Sequence, residues 1–349
     1  MPALDWDIFC RVIDNHGDLG VCWRLATDLA TRGHGVRLWI DDPSALAWMA
    51  PQGHPGVQWL PWREDHLPAP RDVVIEAFGC DPPADFVRGM AARPPVWINL
   101  EYLSAEAYVA RSHGLRSPVM SGPGAGLSKW FFYPGFTADT GGLLREPGLI
   151  DALDAADPAA ALAELGVSRR PGEQVLSLFC YDDAPVQTLA AWLAGAPTLL
   201  LTTPGHASRL ANQAEWPAGV RCQALPWLSQ PGYDRLLAAC DLNLVRGEDS
   251  FVRAQWAGRP FLWHIYPQHD GVHADKLDAF LDRLLAPEPA VLAAPLRAAF
   301  HAWNRLPGAG CPQLPGLGDW GALVGRWRDR LLNQADLASQ LLAFVLEKR

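Results

Sequence analysis

The chain has 349 residues, is 49% hydrophobic and carries a formal net charge of −9. That length exceeds what one hydrophobic core usually supports, so two domains are expected, and the acidic balance speaks against a general nucleic-acid binder. No run of about 18 uncharged apolar residues is present to span a bilayer, and MPALDWDIFCRVID lacks the pattern of a secretory signal.

In chain order, Asp7–Ile13 reads as a buried strand, Asp14–Gly20 as a polar turn, Val21–Ala30 as a helix and Val36–Ile40 as the next strand. Strands follow at Val57–Leu60, Val73–Phe78 and Val96–Leu100, with helical stretches at Ala45–Met49, Ala84–Ala91 and Ala105–Arg111. Gly114–Gly142, rich in Gly, Pro and aromatics, reads as loop apart from a strand at Lys129–Tyr133. A helix over Asp151–Leu165 marks the crossover to a second half. There, strands at Gln174–Phe179, Thr198–Thr203, Val220–Leu225, Leu242–Val245 and Phe261–Tyr266 alternate with helices at Ala184–Ala194, Gly205–Gln213, Tyr233–Cys240 and Phe251–Ala257. Helices over Asp270–Leu285 and Ala290–Leu306, with Pro295 disturbing the first turn of the second, lead to a long amphipathic segment, Trp320–Glu347, broken near Asn333. Alternating strands and helices imply mostly parallel sheets covered on both faces. The boundaries expected are 1–152 for the first domain and 153–333 for the second, followed by a C-terminal helix at 334–349.

The seven cysteines are scattered, with no CxxC pair or Cys/His cluster, and most of them read as small core residues of a cytoplasmic protein. Sixteen tryptophans are more than a core needs, so some should line a surface or cleft.

Ligands of open α/β sheets bind beyond the carboxyl ends of strands, which selects a few stretches. In LVRGEDSFVRAQWAGRPFLW, a strand turns through Gly247 directly into a helix that Asp249 or Ser250 can cap. A helix start after a strand offers N–H groups and a positive dipole end to a phosphate, and Arg246 adds a full charge. An ordinary capped βα turn has the same shape. In DNHGDLG, Asp14 and Asp18 stand four residues apart among Asn15, Gly17 and Gly20. They can act as a base, hold a hydroxyl or bind a basic group, or one of them can simply cap the helix. Cys180-Tyr181-Asp182-Asp183 suggests a metal only weakly, because capping explains the aspartates equally well. Phe179, Tyr181 and Trp227 lie at strand ends where a planar base could stack, although core packing also accounts for each. His264 and His269 have no accompanying nucleophile, and no histidine has metal spacing.

DIFCRVIDNHGDLGVCWRLATDLA together with LNLVRGEDSFVRAQWAGRPFLWHIYPQ resembles the bacterial elongation factor P arginine rhamnosyltransferases, the EarP family. The resemblance implies a GT-B fold: two Rossmann-like domains facing each other across a cleft, with the C-terminal helix returning to the first. It implies inverting, metal-independent transfer of rhamnose from dTDP-β-L-rhamnose to an arginine of elongation factor P, which then relieves ribosomes stalled on proline runs. No cofactor, direct nucleic-acid contact or membrane is implied. On the matching residues, Asp18 is the expected general base, Asp14 supports the arginine or the loop, and Glu248 orders the donor or the acceptor guanidinium. Donor contacts are implied for Asn15, Gly17, Arg246, Asp249 and Ser250, the last two partly through backbone N–H. Phe179, Tyr181 and Trp227 fall in the thymine and ribose pocket, and Gln255 near the nucleotide. The alternatives are a GT-B enzyme acting on a glycan, lipid or small molecule, and a sugar-nucleotide-binding protein without chemistry.

Overall fold

The computed structural model describes residues 3–13, 16–62, 67–268 and 271–349. The chain forms two compact units, 1–147 with 334–349, and 148–333.

Unit 1 begins β1 (Asp5–Cys10), α1 (Gly17–Thr31), β2 (Gly35–Ile40), α2 (Leu46–Met49), β3 (Val57–Pro61) and β4 (Val73–Ala77). It continues α3 (Ala84–Met90), β5 (Val96–Leu100), α4 (Ala107–Ser112), β6 (Arg116–Pro118) and β7 (Ser128–Phe132). The sheet order is β3-β2-β1-β4-β5-β7-β6. All pairs are parallel except β6 with β7. Every residue of β4 and β5 is buried, as expected of central parallel strands covered on both faces. Asp7 is fully buried in β1 and is satisfied there. It accepts hydrogen bonds from Arg37 Nε at 2.6 Å, Arg37 Nη2 at 2.7 Å, Trp39 Nε1 at 2.9 Å and the Arg71 backbone N–H at 2.9 Å.

Unit 2 runs α5 (Leu149–Asp154), α6 (Pro158–Glu164), β8 (Gln174–Leu178), α7 (Val186–Trp192), β9 (Thr198–Thr202), α8 (His206–Gln213), β10 (Val220–Ala224) and α9 (Gln230–Ala239). Then come β11 (Leu242–Arg246), α10 (Asp249–Ala257), β12 (Phe261–His264), α11 (Val272–Leu285), α12 (Ala290–Trp303) and α13 (Leu317–Leu332). Its five strands are all parallel, in the order β10-β9-β8-β11-β12. The last helix, α14 (Leu337–Lys348), belongs to unit 1, where Leu337, Leu341, Leu342 and Val345 join the core built on β1, β2, β4 and α1.

Three local readings change. The single helix expected over Asp151–Leu165 is two, because Asp157 accepts a hydrogen bond from Ala159 N–H at 3.0 Å and Pro158 opens a new helix behind that cap. The chain divides at Pro147–Gly148, ahead of the expected 152, since α5 packs against α9 and α10 of unit 2. The 114–142 region contains the antiparallel edge strand β6 as well as β7.

Candidate functional site

Each sheet has a point where the strand order reverses, between β1 and β4 in unit 1 and between β8 and β11 in unit 2. There the connections leave toward opposite faces and open a crevice beyond the carboxyl ends.

In unit 1, Asp18 sits at this point. It lies in the first turn of α1, is 2% exposed, and has the favourable sign for a helix start. Oδ2 accepts a hydrogen bond from the Ile13 backbone N–H at 2.8 Å, and Oδ1 accepts one from the Tyr102 hydroxyl at 3.2 Å. These two bonds fix the plane of the carboxylate. Gly17 is the first residue of α1. Asp14 and Asn15 lie outside the described residues.

The rest of this end comes from the turns after β4 and β5. Tyr102 stacks on Phe78 with centroids 4.2 Å apart and planes 13° apart. Phe78 itself has a positive φ of 59°, a strained conformation for a bulky residue. The strained turn is tied down: Phe78 N–H donates to Leu100 O at 2.7 Å and Gly79 N–H to Asn99 Oδ1 at 3.1 Å. Asn99 Nδ2 in turn donates to Glu101 Oε1 at 2.7 Å. Burial, then the negative charge of Glu101, pushes the Tyr133 phenol up to about 12. Tyr108, T-shaped against Tyr133 at 5.9 Å, is pushed up by burial and then by Glu106. Tyr102, stacked on Phe78, thus stands against Asp18, and Glu101, Tyr108 and Tyr133 follow strands of the same sheet; carboxylates and neutral aromatic rings are groups suited to a planar cation.

In unit 2, the turn after β11 is held by its own residues. Gly247 takes φ 63°, and its carbonyl accepts a hydrogen bond from Trp263 Nε1 at 2.8 Å. The Ser250 hydroxyl accepts from the Arg246 backbone N–H at 3.1 Å and donates to the Arg246 carbonyl. Ser250 therefore spends its hydroxyl on the turn, and only its backbone N–H is left for an anion. Glu248 is the N-cap residue of α10 but makes no side-chain cap bond; Asp249 is the first helical residue. By helix geometry the first-turn N–H groups of α10 have no intrahelical acceptor.

Arg246 is 6% exposed, and its guanidinium lies over two rings, Phe179 at 4.5 Å and Tyr181 at 4.6 Å. Its Nη1 donates to Cys180 O at 3.4 Å. These rings, expected to receive a base, flank the arginine in this structure. Tyr181 N–H donates to His264 Nδ1 at 3.3 Å, which leaves His264 Nε2 to face Asp183 Oδ1 at 3.4 Å, and this contact is the main cause holding the Asp183 carboxyl below its ordinary range. The Tyr233 ring meets Phe179 edge-on at 6.0 Å, and burial pushes its phenol well up. Trp227 lies beyond β10 and is 46% exposed.

Gln255 is a correction. It is fully buried, accepts a hydrogen bond from Trp327 Nε1 at 2.7 Å and donates to Phe251 O at 3.3 Å. It sits on the α10 face that packs against α13, so it is a core residue without access to a nucleotide.

A family model described as Elongation-Factor P (EF-P) rhamnosyltransferase EarP matches residues 6–346. The chain belongs to the EarP family. A protein-arginine rhamnosyltransferase of Pseudomonas aeruginosa is 44% identical over 98% of this chain and 99% of its own, and one of Shewanella oneidensis is 37% identical over 98% of each. A solved structure described as the structural basis for EarP-mediated arginine glycosylation of translation elongation factor EF-P is similar with a TM-score of 0.66 and 32% identity, covering 99% of this chain and 100% of its own. The spinosyn rhamnosyltransferase SpnG shares the fold at a TM-score of 0.55 and 14% identity, over 99% of this chain and 100% of its own. The fold is GT-B.

Within the EarP family frame, sequence reasoning missed Tyr102, Glu101, Phe78 and the His264–Asp183 pair. Glu101 and Tyr102 directly follow β5, so the carboxyl-end rule that selected the other loops would have selected them too.

Proposed function

We propose that the chain transfers rhamnose from dTDP-β-L-rhamnose to an arginine side chain of elongation factor P, with inversion and without a metal. The observation that carries this reading is Asp18: a buried carboxylate, fixed by two donors, at the switch point of a sheet whose surrounding lining is acidic and aromatic. A lining of that kind supports a guanidinium acceptor. Unit 2 supports the donor side, since Arg246 and the α10 start supply fixed charge and N–H groups for a diphosphate.

A protonated arginine is a poor nucleophile, with a pKa above roughly 12. In the proposed step a guanidinium nitrogen attacks C1 of rhamnose as the bond from C1 to the diphosphate oxygen breaks. The electron pair leaves with dTDP, and the nitrogen's proton passes to Asp18. Attack opposite the leaving group converts a β donor to an α-linked product. Glu248 orders the donor or the guanidinium, and Phe179, Tyr181 and Trp227 hold the base and ribose once Arg246 turns its outer edge to the phosphates. The reading places the reaction in the cytoplasm, where a translation factor and a sugar nucleotide meet.

Intact-mass measurement of elongation factor P incubated with this protein and dTDP-β-L-rhamnose is the direct test. Gain of one deoxyhexose on an arginine is expected. No gain rejects the acceptor, and modification of a glycan, lipid or small molecule instead replaces it.

A further inference from the structure

Unit 1 has a second concavity, at the amino ends of its strands. Asp18 stands at the carboxyl ends, a strand length of ~17 Å away. Four chain segments build the second one: 71–72 ahead of β4, 93–97 entering β5, 126–130 entering β7, and 348–349 at the end of α14. Arg116 of β6 completes a lining that encloses about 450 Å³.

The lining is strongly cationic. Arg71, Arg93, Arg116, Lys348 and Arg349 converge on it, with Asp72 the one carboxylate among the lining residues. Asp72 is already shared: Oδ1 is 2.6 Å from Arg93 Nη2 and 3.8 Å from Arg349 Nη2, and Oδ2 accepts the Asp5 backbone N–H at 3.2 Å. Arg116 Nε donates to a neutral acceptor, Ser128 Oγ, at 2.9 Å. Arg71 Nη1 is buried without a hydrogen bond, and its ion pair with Asp5 Oδ1 is long, at 3.8 Å. Lys348 Nζ pairs with Glu347 at 2.8 Å and lies 4.5 Å above the Trp130 ring. In a chain of net charge −9, five cations around one hollow, against Asp72 in the lining and Asp5 and Glu347 as their other carboxylate partners, form an arrangement that an anion would complete.

We propose that this cavity is a second ligand site, separate from the sugar-transfer site, which takes a small, multiply charged phosphate-bearing molecule. Guanidinium forks match phosphate oxygens in pairs. The volume falls within the ~300–1,000 Å³ of small-molecule sites. Convergence on a hollow, in place of a spread along a face, favours a compact polyanion over a nucleic-acid strand or an acidic protein segment.

The test is calorimetric titration of the full chain with inorganic tripolyphosphate. Arg93→Gln/Arg116→Gln removes two exposed cations of the cavity, and Arg246→Ala separately removes the diphosphate contact of unit 2. A binding component that survives Arg246→Ala, weakens about tenfold or more in the double glutamine variant, and returns in Arg93→Lys/Arg116→Lys supports the proposal. Sugar transfer by the double variant should stay at the parent rate. Absence of such a component, or one insensitive to Arg93 and Arg116, overturns it. So does tighter, equally variant-sensitive binding of poly-glutamate or an RNA oligomer.

Discussion

At Asp18 one atom separates binding from chemistry. Asp18→Asn keeps an oxygen to accept from Ile13 N–H but loses the ability to take a proton. Turnover should fall about 10²–10⁴-fold, while dTDP affinity measured by calorimetry stays unchanged. Normal turnover would remove Asp18 from the role of base. Arg246→Lys keeps a charge but loses the planar group held between Phe179 and Tyr181. Its dTDP dissociation constant should rise about tenfold or more, and an unchanged constant would place the diphosphate elsewhere. Gln255 predicts the opposite division. Gln255→Leu leaves Trp327 Nε1 without its acceptor and should cost about 1–3 kcal/mol in chemical denaturation without altering donor affinity. This residue also shows why parts of the site were illegible. A glutamine one turn beyond a phosphate-binding turn looks like a ligand contact, and its true partner is 72 residues away in α13. The positions of Asp18 and Arg246 at strand ends were legible because a polar turn there declares them in the local sequence. Tyr102 was not, because its importance comes from a hydrogen bond to a residue 84 positions earlier.

Among the elements, the central strands were legible because full burial demands unbroken apolar runs, as in β4 and β5. The edge strand β6 was not: its three residues, Arg-Ser-Pro, carry no apolar signal and pair only through their antiparallel neighbour. The seat of α14 depends on one arginine. Arg32, just past α1, donates to Asp28 Oδ1, Asp336 Oδ1 and Ser339 Oγ, each at 2.7 Å. Arg32→Ala leaves buried Asp28 without its cation and should destabilise unit 1 by about 3–5 kcal/mol, read as a lowered denaturation midpoint; a change within error would show that α14 docks by apolar contact alone. In unit 2, Glu173 connects the start of β8 to β10 through Arg221, at 2.7 and 2.8 Å. That bond, against the opposing effect of burial, holds its carboxyl down at about 2. A carboxyl depressed in the folded state contributes stability above its ordinary value of about 4.3 and loses it as pH falls through about 2. The melting temperature should therefore drop across that acid window, and Glu173→Gln should flatten the drop.

For the molecule as a whole, the βα alternation announced both sheets and the family resemblance the returning helix, while the dividing point moved to Pro147–Gly148 because helix packing decides it. Unit 1 is discontinuous, its core closed by residues from α14. Removing 334–349 should uncover Trp130 and Phe132, on which Phe344 packs, so unit 1 becomes protease-sensitive while 148–333 persists as a resistant fragment; equal resistance of both would contradict the shared core. The same discontinuity imposes an order on biosynthesis. Unit 2 has all of its sequence before α14 exists, whereas the first 147 residues wait for a helix made last. At ~5–20 residues per second that wait is about 10–40 s, during which the Asp18 half has an open hydrophobic seam and depends on chaperones or on slow collapse. A nascent chain stalled late in the interval would carry a finished unit 2 joined to an unfinished unit 1, and would be a target for proteolysis before it could act.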